Sequence, residues 1–252
     1  MGFFRCSPRA INCPWTRGVA HPIRETIQEK RMTQKLIICG GLSRSGSTWQ
    51  YNVVRMLASA AYGQTYGAWI LNYDPDRPEA VHVVKAHNPQ DVESLRYDAV
   101  VTSYRDLRDA LVSVRRMGWY PYERPKQIKN FSDRYVANLA AWEKIAARVT
   151  RYEEMMADPL AEIHRIAAAL KLTLSDSELK NVHESVQAMR PPQEEPTGMV
   201  ADADPETQLH PGHISNEIVR LDDKTRQFIE RHYGTWLCER GYIIDSSTSL
   251  AE

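Results

Sequence analysis

Three segments of the chain carry residue types that could hold a phosphate or move a proton. The first is GLSRSGST at positions 41–48. It lies between a predicted buried strand at 35–39 and a predicted helix at 45–60, where backbone N–H groups and the helix dipole can hold an anion. The spacing is that of a Walker A loop, but Ser47 stands where the lysine belongs. Because that lysine reaches the β- and γ-phosphates, its absence disfavours a kinase and favours a donor without a γ-phosphate.

That loop has a second interpretation, because a turn rich in glycine and serine also forms without a ligand. Ser43 or Ser45 could cap the following helix through its side-chain oxygen. Arg44, inside the loop, keeps a cation beside any anion that binds there. The segment alone therefore predicts either an anion site or a capped turn.

The second segment pairs Arg105 with Ser113, eight residues later. Arg105 follows a predicted strand at 99–103, and Ser113 lies in a predicted helix at 106–116. A guanidinium offers a bidentate fork, so the two side chains could share one phosphate. The alternative is an exposed arginine in an i,i+4 pair with Asp109.

The third segment places Lys85 and His87 at the carboxyl end of a predicted strand at 81–86. Open α/β sheets put their chemistry at that edge, and the two-residue period directs both side chains to one face. A histidine can take a proton from an acceptor, and a lysine can offset a developing negative charge. Taken alone, a histidine at the end of a strand is more often structural than catalytic.

Composition and charge limit the classes of function. The 252 residues hold 32 Lys and Arg against 32 Asp and Glu, so no global positive field would collect nucleic acid. The longest apolar runs fall far short of the roughly 20 residues that a bilayer requires. The four cysteines are too far apart for a metal or redox motif. We therefore expect no nucleic acid, no membrane span and no metal site.

From residue 35 onward, short β-rich runs alternate with longer helical patterns. This alternation predicts an α/β three-layer domain of the P-loop type, with a central parallel sheet flanked by helices, over residues 35–252. Further helices are predicted at 132–147, 157–170, 175–188 and 222–240, and a proline-rich loop at 190–198.

The first 34 residues differ from the rest. Six basic residues stand there against two acidic ones, which predicts a basic extension, either disordered or a targeting segment. A start misassigned ahead of Met32 would also explain it. We predict a cytoplasmic protein, with organelle targeting by this extension as the alternative.

Together with a fourth segment, these motifs resemble those of the P-loop sulfotransferase superfamily, enzymes that use 3′-phosphoadenosine 5′-phosphosulfate (PAPS). GLSRSGSTW at 41–49 is similar to the family's 5′-phosphosulfate loop, and residues 104–113 are similar to its 3′-phosphate motif. KAHNP at 85–89 is similar to its Lys-x-His-x-Pro segment. RYEEMMADP at 151–159 resembles a stretch whose tyrosine contacts adenine. The resemblance extends from residue 35 to the final helix.

The resemblance implies roles for individual residues. His87 would be the catalytic base, Lys85 would offset charge on the transferring group, and Arg44 would stabilise the bridging oxygen. Arg105 and Ser113 would hold the 3′-phosphate. The other donor-binding residues that it implies surround the 5′-phosphate or the adenine: Ser43, Ser45, Gly46, Ser47, Thr48, Trp49 and Tyr152. For Trp49 and Tyr152, ordinary core packing is the alternative.

Two departures from the family pattern stand out. Arg44 replaces the usual lysine of the loop, which keeps the charge and changes the hydrogen-bond geometry. The late Arg-Lys-Gly motif that helps to hold the 3′-phosphate is absent, and LHPGHIS at 209–215 occupies that region. His213 and Ser215 could close over the donor, or the segment is a turn with incidental histidines.

The resemblance thus predicts sulfuryl transfer from PAPS, with PAP as product, to a hydroxyl or amine of a small-molecule acceptor and without a metal. The sequence predicts neither the acceptor's identity nor the oligomeric state. The alternatives are a kinase or nucleoside triphosphatase with a degenerate P-loop, and a nucleotide-binding protein without turnover. Several aromatic residues lie near the motifs in the sequence and could bind a flat or apolar acceptor. The alternative is that they belong to the core or the surface. They are Tyr66, Trp69, Trp119, Tyr120 and Tyr122.

Overall fold

The computed structural model describes residues 34–117, 122–191, 204–210 and 220–242. The chain divides into two units, Met1–Gln34 and Lys35–Glu252. Apart from Gln34, every described residue belongs to the second unit.

The centre of this unit is a parallel sheet of five strands. In chain order they are β1 (Lys35–Gly40), β2 (Thr65–Trp69), β3 (Val81–Ala86), β4 (Ala99–Tyr104) and β5 (Arg148–Arg151). They lie in the spatial order β2-β3-β1-β4-β5, and every neighbouring pair is parallel. The connection that leaves β1 crosses to the β2 edge of the sheet, and the connection that leaves β4 leads to the opposite edge, at β5. The topological switch point therefore lies between β1 and β4. Ligands of open α/β sheets bind at the carboxyl ends of the strands at that point.

Seven helices are described around the sheet. They are α1 (Ser47–Tyr62), α2 (Leu107–Arg116), α3 (Pro125–Glu143), α4 (Tyr152–Ala157), α5 (Pro159–Ala169), α6 (Asp176–Ala188) and α7 (Asp223–Glu239). Two short 3-10 helices span Ile70–Asn72 and Pro89–Val92.

Alternating side chains of the sheet contribute to two hydrophobic cores. Leu36 and Ile38 of β1 pack with α2, α3 and α7 on one face. Ile37 and Cys39 of the same strand pack with α1, α5 and α6 on the other face. Burial on both faces suits the continuous apolar runs of central parallel strands. The predicted three-layer α/β fold is therefore confirmed.

Several boundaries differ from the prediction. The helix predicted at 132–147 begins seven residues earlier, at Pro125, where the missing N–H of proline costs nothing. The helix predicted at 157–170 is preceded by the separate α4, because Asp158 caps α5 and Pro159 is its first residue. The proline-rich loop at 190–198 lies almost wholly outside the described residues.

Candidate active site

The loop between β1 and α1 is held in shape by its own side chains. Ser45 Oγ donates to the carbonyl of Leu42 at 2.6 Å and lies 2.9 Å from Ser103 Oγ of β4. Gly46 has a φ of 83°, and a Cβ added there would lie 2.9 Å from the Tyr152 ring. Only glycine therefore fits this position. Ser45, predicted to bind the donor, is fully buried, and its hydroxyl hydrogen-bonds within the loop and to β4.

The N-terminus of α1 has no acidic residue of its own. Gly46 offers no side-chain cap, and within the described part of the chain the first turn contains no acidic residue. The first N–H groups of a helix have no partner within it, and the helix dipole places partial positive charge there. This end of α1, which begins at the buried Ser47, is therefore suited to bind a phosphate.

Arg44 connects the loop to α2. Its backbone adopts the left-handed conformation, with φ of 67°, and its Nε donates to Ser113 Oγ at 2.8 Å. Burial and, as smaller causes, the charges of Arg116 and Arg105 together lower the pKa of Arg44 to about 10. The Arg44 guanidinium is still protonated at neutral pH. Because the charges of Arg116 and Arg105 lower its pKa, the site around it has a positive potential.

Arg105 is positioned by the chain around it. The hydroxyl of Tyr135 in α3 accepts from the Arg105 N–H at 3.0 Å and donates to its carbonyl at 3.1 Å. The guanidinium lies 4.2 Å from the Tyr152 ring centroid. The predicted i,i+4 pair exists only as a long contact of 3.5 Å to Asp109. Nε of Arg105 is buried without a hydrogen-bond partner among the described residues.

Arg116 belongs to the same cluster and was missed by the sequence analysis. It follows Ser113 by three residues in α2, so both side chains lie on one helix face. Its Nε is also buried without a hydrogen-bond partner within the described part of the chain. Its charge acts on Arg44, as noted above. The helical spacing from Ser113 was the signal that could have identified it.

Lys85 projects from β3 toward the loop. It is 5% exposed, and its Nζ donates to Thr48 Oγ1 at 2.7 Å. Burial and, as the smaller cause, the charge of Arg44 together lower the pKa of Lys85 to about 7. In the ligand-free site, about half of the Lys85 side chains are therefore protonated at pH 7.

His87 follows β3 and has a defined tautomer. Its Nδ1 lies 2.6 Å from the carbonyl of Gly41, and a carbonyl only accepts, so Nδ1 carries the proton. The lone pair is then on Nε2. Burial, and next the charge of Lys85, lower the pKa of His87 to about 3. Trp142 Nε1 donates to the His87 carbonyl at 3.2 Å and so holds its backbone in place.

The other predicted donor residues lie on both sides of the loop. Trp49, in the first turn of α1, is partly buried against the core formed with α1, α5 and α6. Tyr152 begins α4, and its ring lies beneath the Arg105 guanidinium. Ser43 faces the cavity described next. Four residues from the predicted site lie outside the described residues: His213, Ser215, Trp119 and Tyr120.

A cavity of about 430 Å³ opens beside His87. Trp69 and Tyr122 from the predicted aromatic set line it, whereas Tyr66 packs against Tyr73 and His82 elsewhere. One face of α3 forms a large part of the wall through residues at helical spacing: Gln127, Asn130, Phe131, Arg134, Tyr135 and Asn138. The sequence analysis missed this face because it began the helix at residue 132.

The described residues contain neither a cluster of metal ligands nor a helix that could span a membrane. Within residues 34–117, 122–191, 204–210 and 220–242, no three His, Cys, Asp or Glu side chains lie together as a metal site would require. In the same ranges, no helix combines the length and apolar character needed to cross a bilayer. The expectations about metals and membranes remain predictions.

Comparison with known proteins identifies the fold. No protein-family model and no curated protein matches the sequence. Mouse sulfotransferase SULT7A1 complexed with PAP has 15% sequence identity and a TM-score of 0.54, over 87% of this chain and 93% of that one. Two retinol dehydratase structures score lower. The complex with androsterone and inactive cofactor PAP has 18% identity and a TM-score of 0.44, over 65% of this chain and 68% of that one. The complex with retinol and PAP has 17% identity and a TM-score of 0.43, over 61% of this chain and 64% of that one. The SULT7A1 match and the five-stranded parallel sheet together show that the chain has the fold of that sulfotransferase.

Proposed function

We propose that the protein transfers a sulfuryl group from PAPS to a hydroxyl or amine of a small-molecule acceptor and releases PAP. One observation carries this proposal. Three guanidiniums and an ammonium lie around the loop that precedes α1: the charges of Arg105 and Arg116 act on Arg44, the charge of Arg44 acts on Lys85, and Lys85 Nζ donates to Thr48 Oγ1 in α1. The neutral His87 lies beside them. Such a density of positive charge is favourable only with an anion between the groups.

The donor fits this arrangement in two places. Its 5′-phosphosulfate would accept from the first N–H groups of α1, beside Thr48 and Lys85. Its 3′-phosphate would lie against Arg105 and Ser113 at the ends of β4 and α2. Trp49 and Tyr152 would enclose the adenine.

The chemical step uses His87 and Lys85. His87 Nε2 would take the proton from the acceptor hydroxyl or amine as its oxygen or nitrogen attacks sulfur. A new bond to sulfur forms while the bond between sulfur and the bridging oxygen of the phosphosulfate breaks. The leaving PAP carries the additional negative charge, which Lys85 and Arg44 would offset.

The alternatives account for fewer of these features. A kinase needs a loop lysine, and Ser47 occupies that place. A nucleotide-binding protein without turnover would have no use for a neutral histidine that lines the cavity and whose Nε2 carries a lone pair. Both alternatives can be tested with the same ligands.

The donor site is tested by thermal unfolding with PAP, ADP and Mg²⁺-ATP. We expect PAP to raise the unfolding temperature, because a ligand at a hundred times its Kd stabilises the native state by about 2.7 kcal/mol. Arg105→Ala should weaken PAP binding by about 10- to 100-fold, since a charge-assisted hydrogen bond contributes about 1.5–3 kcal/mol. ADP lacks the 3′-phosphate, so its affinity should not change.

Arg226→Ala is the matched control, because this arginine of α7 is solvent-exposed. It should leave the PAP response unchanged. A larger shift with Mg²⁺-ATP than with PAP in the wild-type protein would contradict the proposed donor and favour a kinase. Equal loss of PAP and ADP binding in Arg105→Ala would show that this residue does not contact the 3′-phosphate.

We further propose that Arg116 supplements Arg105 at the 3′-phosphate. The chain lacks the late Arg-Lys-Gly motif, and the buried, unpartnered Nε of Arg116 supplies a cation one turn from Ser113. Arg116→Ala should weaken PAP binding by about tenfold, the weaker end of the range for a charge-assisted bond, and leave ADP binding unchanged.

Arg116→Lys separates charge from shape. It should recover part of the PAP affinity, because the charge remains without the planar fork. The titrations are made by calorimetry on folded protein, with the unfolding temperature checked for each variant. If Arg116→Ala binds PAP as the wild type does, the proposed role of Arg116 is wrong.

A further inference from the structure

From the cavity beside His87 we infer the class of acceptor: a compact hydroxy or amino compound that also carries a carboxylate. This inference rests on the proposed function. The cavity, of about 430 Å³, is within the usual size range for a small-molecule site. The sequence suggested a flat or apolar acceptor, whereas the cavity lining combines aromatic rings with polar side chains.

The wall formed by α3 is polar along its length. Gln127, Asn130, Arg134 and Asn138 lie at intervals of three or four residues, so their side chains form one stripe. Asn138 already donates to the His87 carbonyl and to Asn88 Oδ1, and Gln127 Oε1 accepts from the Arg124 N–H. Asn130 and Arg134 are solvent-exposed. A ligand that offers oxygen acceptors to Asn130 and Arg134 replaces the hydrogen bonds to water that they lose when it binds.

Aromatic rings complete the cavity beside the stripe. Phe131 and Tyr135 lie between its polar members, and Trp69 lies opposite the same space, 5.0 Å from the His87 ring. An aromatic or other flat body would pack between these rings. The lining therefore fits a ligand with a flat centre and polar ends.

One uncompensated charge faces this space. No Asp or Glu is among the described residues that line the cavity, and His87 is neutral at pH 7. Arg134 has no ion-pair partner within the described ranges. A guanidinium fork matches a carboxylate in charge and geometry. The ligand end near Arg134 is therefore anionic.

Helix geometry sets the distance between the two ends of the ligand. Asn138 Nδ2 lies 3.4 Å from the His87 carbonyl, so this end of the stripe marks the reacting centre. Arg134 precedes Asn138 by four residues, about 6 Å along the helix axis, and its side chain leans further toward the N-terminus. A hydroxyl at His87 and a carboxylate at Arg134 are then separated by about 6–12 Å.

Matched acceptor pairs test this inference. The acids are 4-hydroxybenzoate, 4-hydroxyphenylacetate and 4-hydroxycinnamate, each paired with its neutral carboxamide. We expect kcat/KM with PAPS to favour at least one acid over its carboxamide by about 10-fold or more. Arg134→Ala should remove this preference, because it should lower kcat/KM for the acid by about 10-fold more than for the carboxamide. Arg134→Lys should keep part of it, and Arg226→Ala should keep all of it.

A binding measurement gives a second readout without turnover. Calorimetric titration of the acids into PAP-saturated protein should show affinity that Arg134→Ala reduces by about 10-fold or more. Equal turnover of acids and carboxamides, or a preference that survives in Arg134→Ala, overturns the inference and leaves the proposed function intact. So does a protein that binds PAP and neither binds nor sulfates any acid of the panel. Failure to bind PAP at all contradicts the proposed function instead.

Discussion

His87→Ala should lose sulfuryl transfer almost completely and keep PAP binding. General base catalysis contributes about 10²–10⁴-fold to a rate, so we expect kcat to fall within that range. PAP affinity should not change, because the histidine lines the cavity beside the loop and its Nδ1 donates to the Gly41 carbonyl. Single-turnover transfer from PAPS and PAP titration by calorimetry measure the two effects.

His87→Asn separates the hydrogen bond from the base. The asparagine amide can still donate to the Gly41 carbonyl, as Nδ1 does at 2.6 Å, but it has no basic nitrogen in place of Nε2. If His87 only shapes the loop, His87→Asn should be active and His87→Ala inactive. If His87 is the base, both variants are inactive.

Rescue by free imidazole adds an outcome that a structural role would not produce. Added imidazole should restore part of the rate in His87→Ala, because the truncated side chain leaves space for it beside the cavity. It should have no effect on the wild type or on His232→Ala, an exposed histidine of α7. A fully active His87→Ala protein would contradict the base role.

The low pKa of His87 has a consequence for the pH profile. With a pKa of about 3 in the ligand-free protein, the imidazole is deprotonated throughout the physiological range. Protonation of His87 should therefore not limit kcat/KM above about pH 5, since this parameter reports the free enzyme. The bound donor places negative charge near the ring and raises its pKa, which strengthens it as a base.

The centre of the fold could be predicted from the sequence, and its edges could not. β1, β3 and β4 are runs of Val, Ile and Leu bounded by polar residues, and such runs predict central parallel strands. β2 reads TYGAW and β5 reads RVTR. Each has a neighbour on only one side, and glycine or arginine in so short a segment gives no strand pattern. Their pairing to β3 and β4 is what makes them strands.

Proximity at the site was predictable where strand topology alone determines it. Lys85 and His87 follow one strand, and the loop of Arg44 follows its neighbour, so all of them lie at one edge of the sheet. The Arg44–Ser113 hydrogen bond and the contact of Tyr135 with the Arg105 backbone join residues far apart in sequence. They depend on helix packing, which no local pattern encodes. The roles of these residues remain predictions.

Binding of PAP should draw a proton onto Lys85. In the ligand-free protein the pKa of Lys85 is about 7, so at pH 8 about a tenth of the molecules carry the ammonium. A phosphate beside Thr48 favours the charged form and raises that pKa. Calorimetry at pH 8, in buffers of different ionisation enthalpy, should therefore show uptake of nearly one proton for each PAP bound.

The sign of the pH dependence follows from the same shift. Above pH 7 the free protein must acquire the proton on binding, so PAP affinity should fall as the pH rises from 7 to 9. Below about pH 6 Lys85 is almost fully protonated in the free protein and contributes little uptake. Lys85→Met carries no titrating group, so its proton uptake at pH 8 should vanish. If the uptake is the same in Lys85→Met, another group titrates and this assignment is wrong.

The Lys85→Met variant should also have a low kcat and a stable fold. An electrostatic group that stabilises the transition state contributes about 10²–10³-fold to kcat, and we expect a loss of that size. Burial lowers the pKa of Lys85, so the unfolded chain binds more protons between pH 7 and about 10.4, and the wild-type free energy of unfolding rises with pH there. At pH 6 the wild type must bury the ammonium and Lys85→Met need not. The variant should therefore unfold at a higher temperature than the wild type at pH 6, which separates the loss of catalysis from any loss of fold.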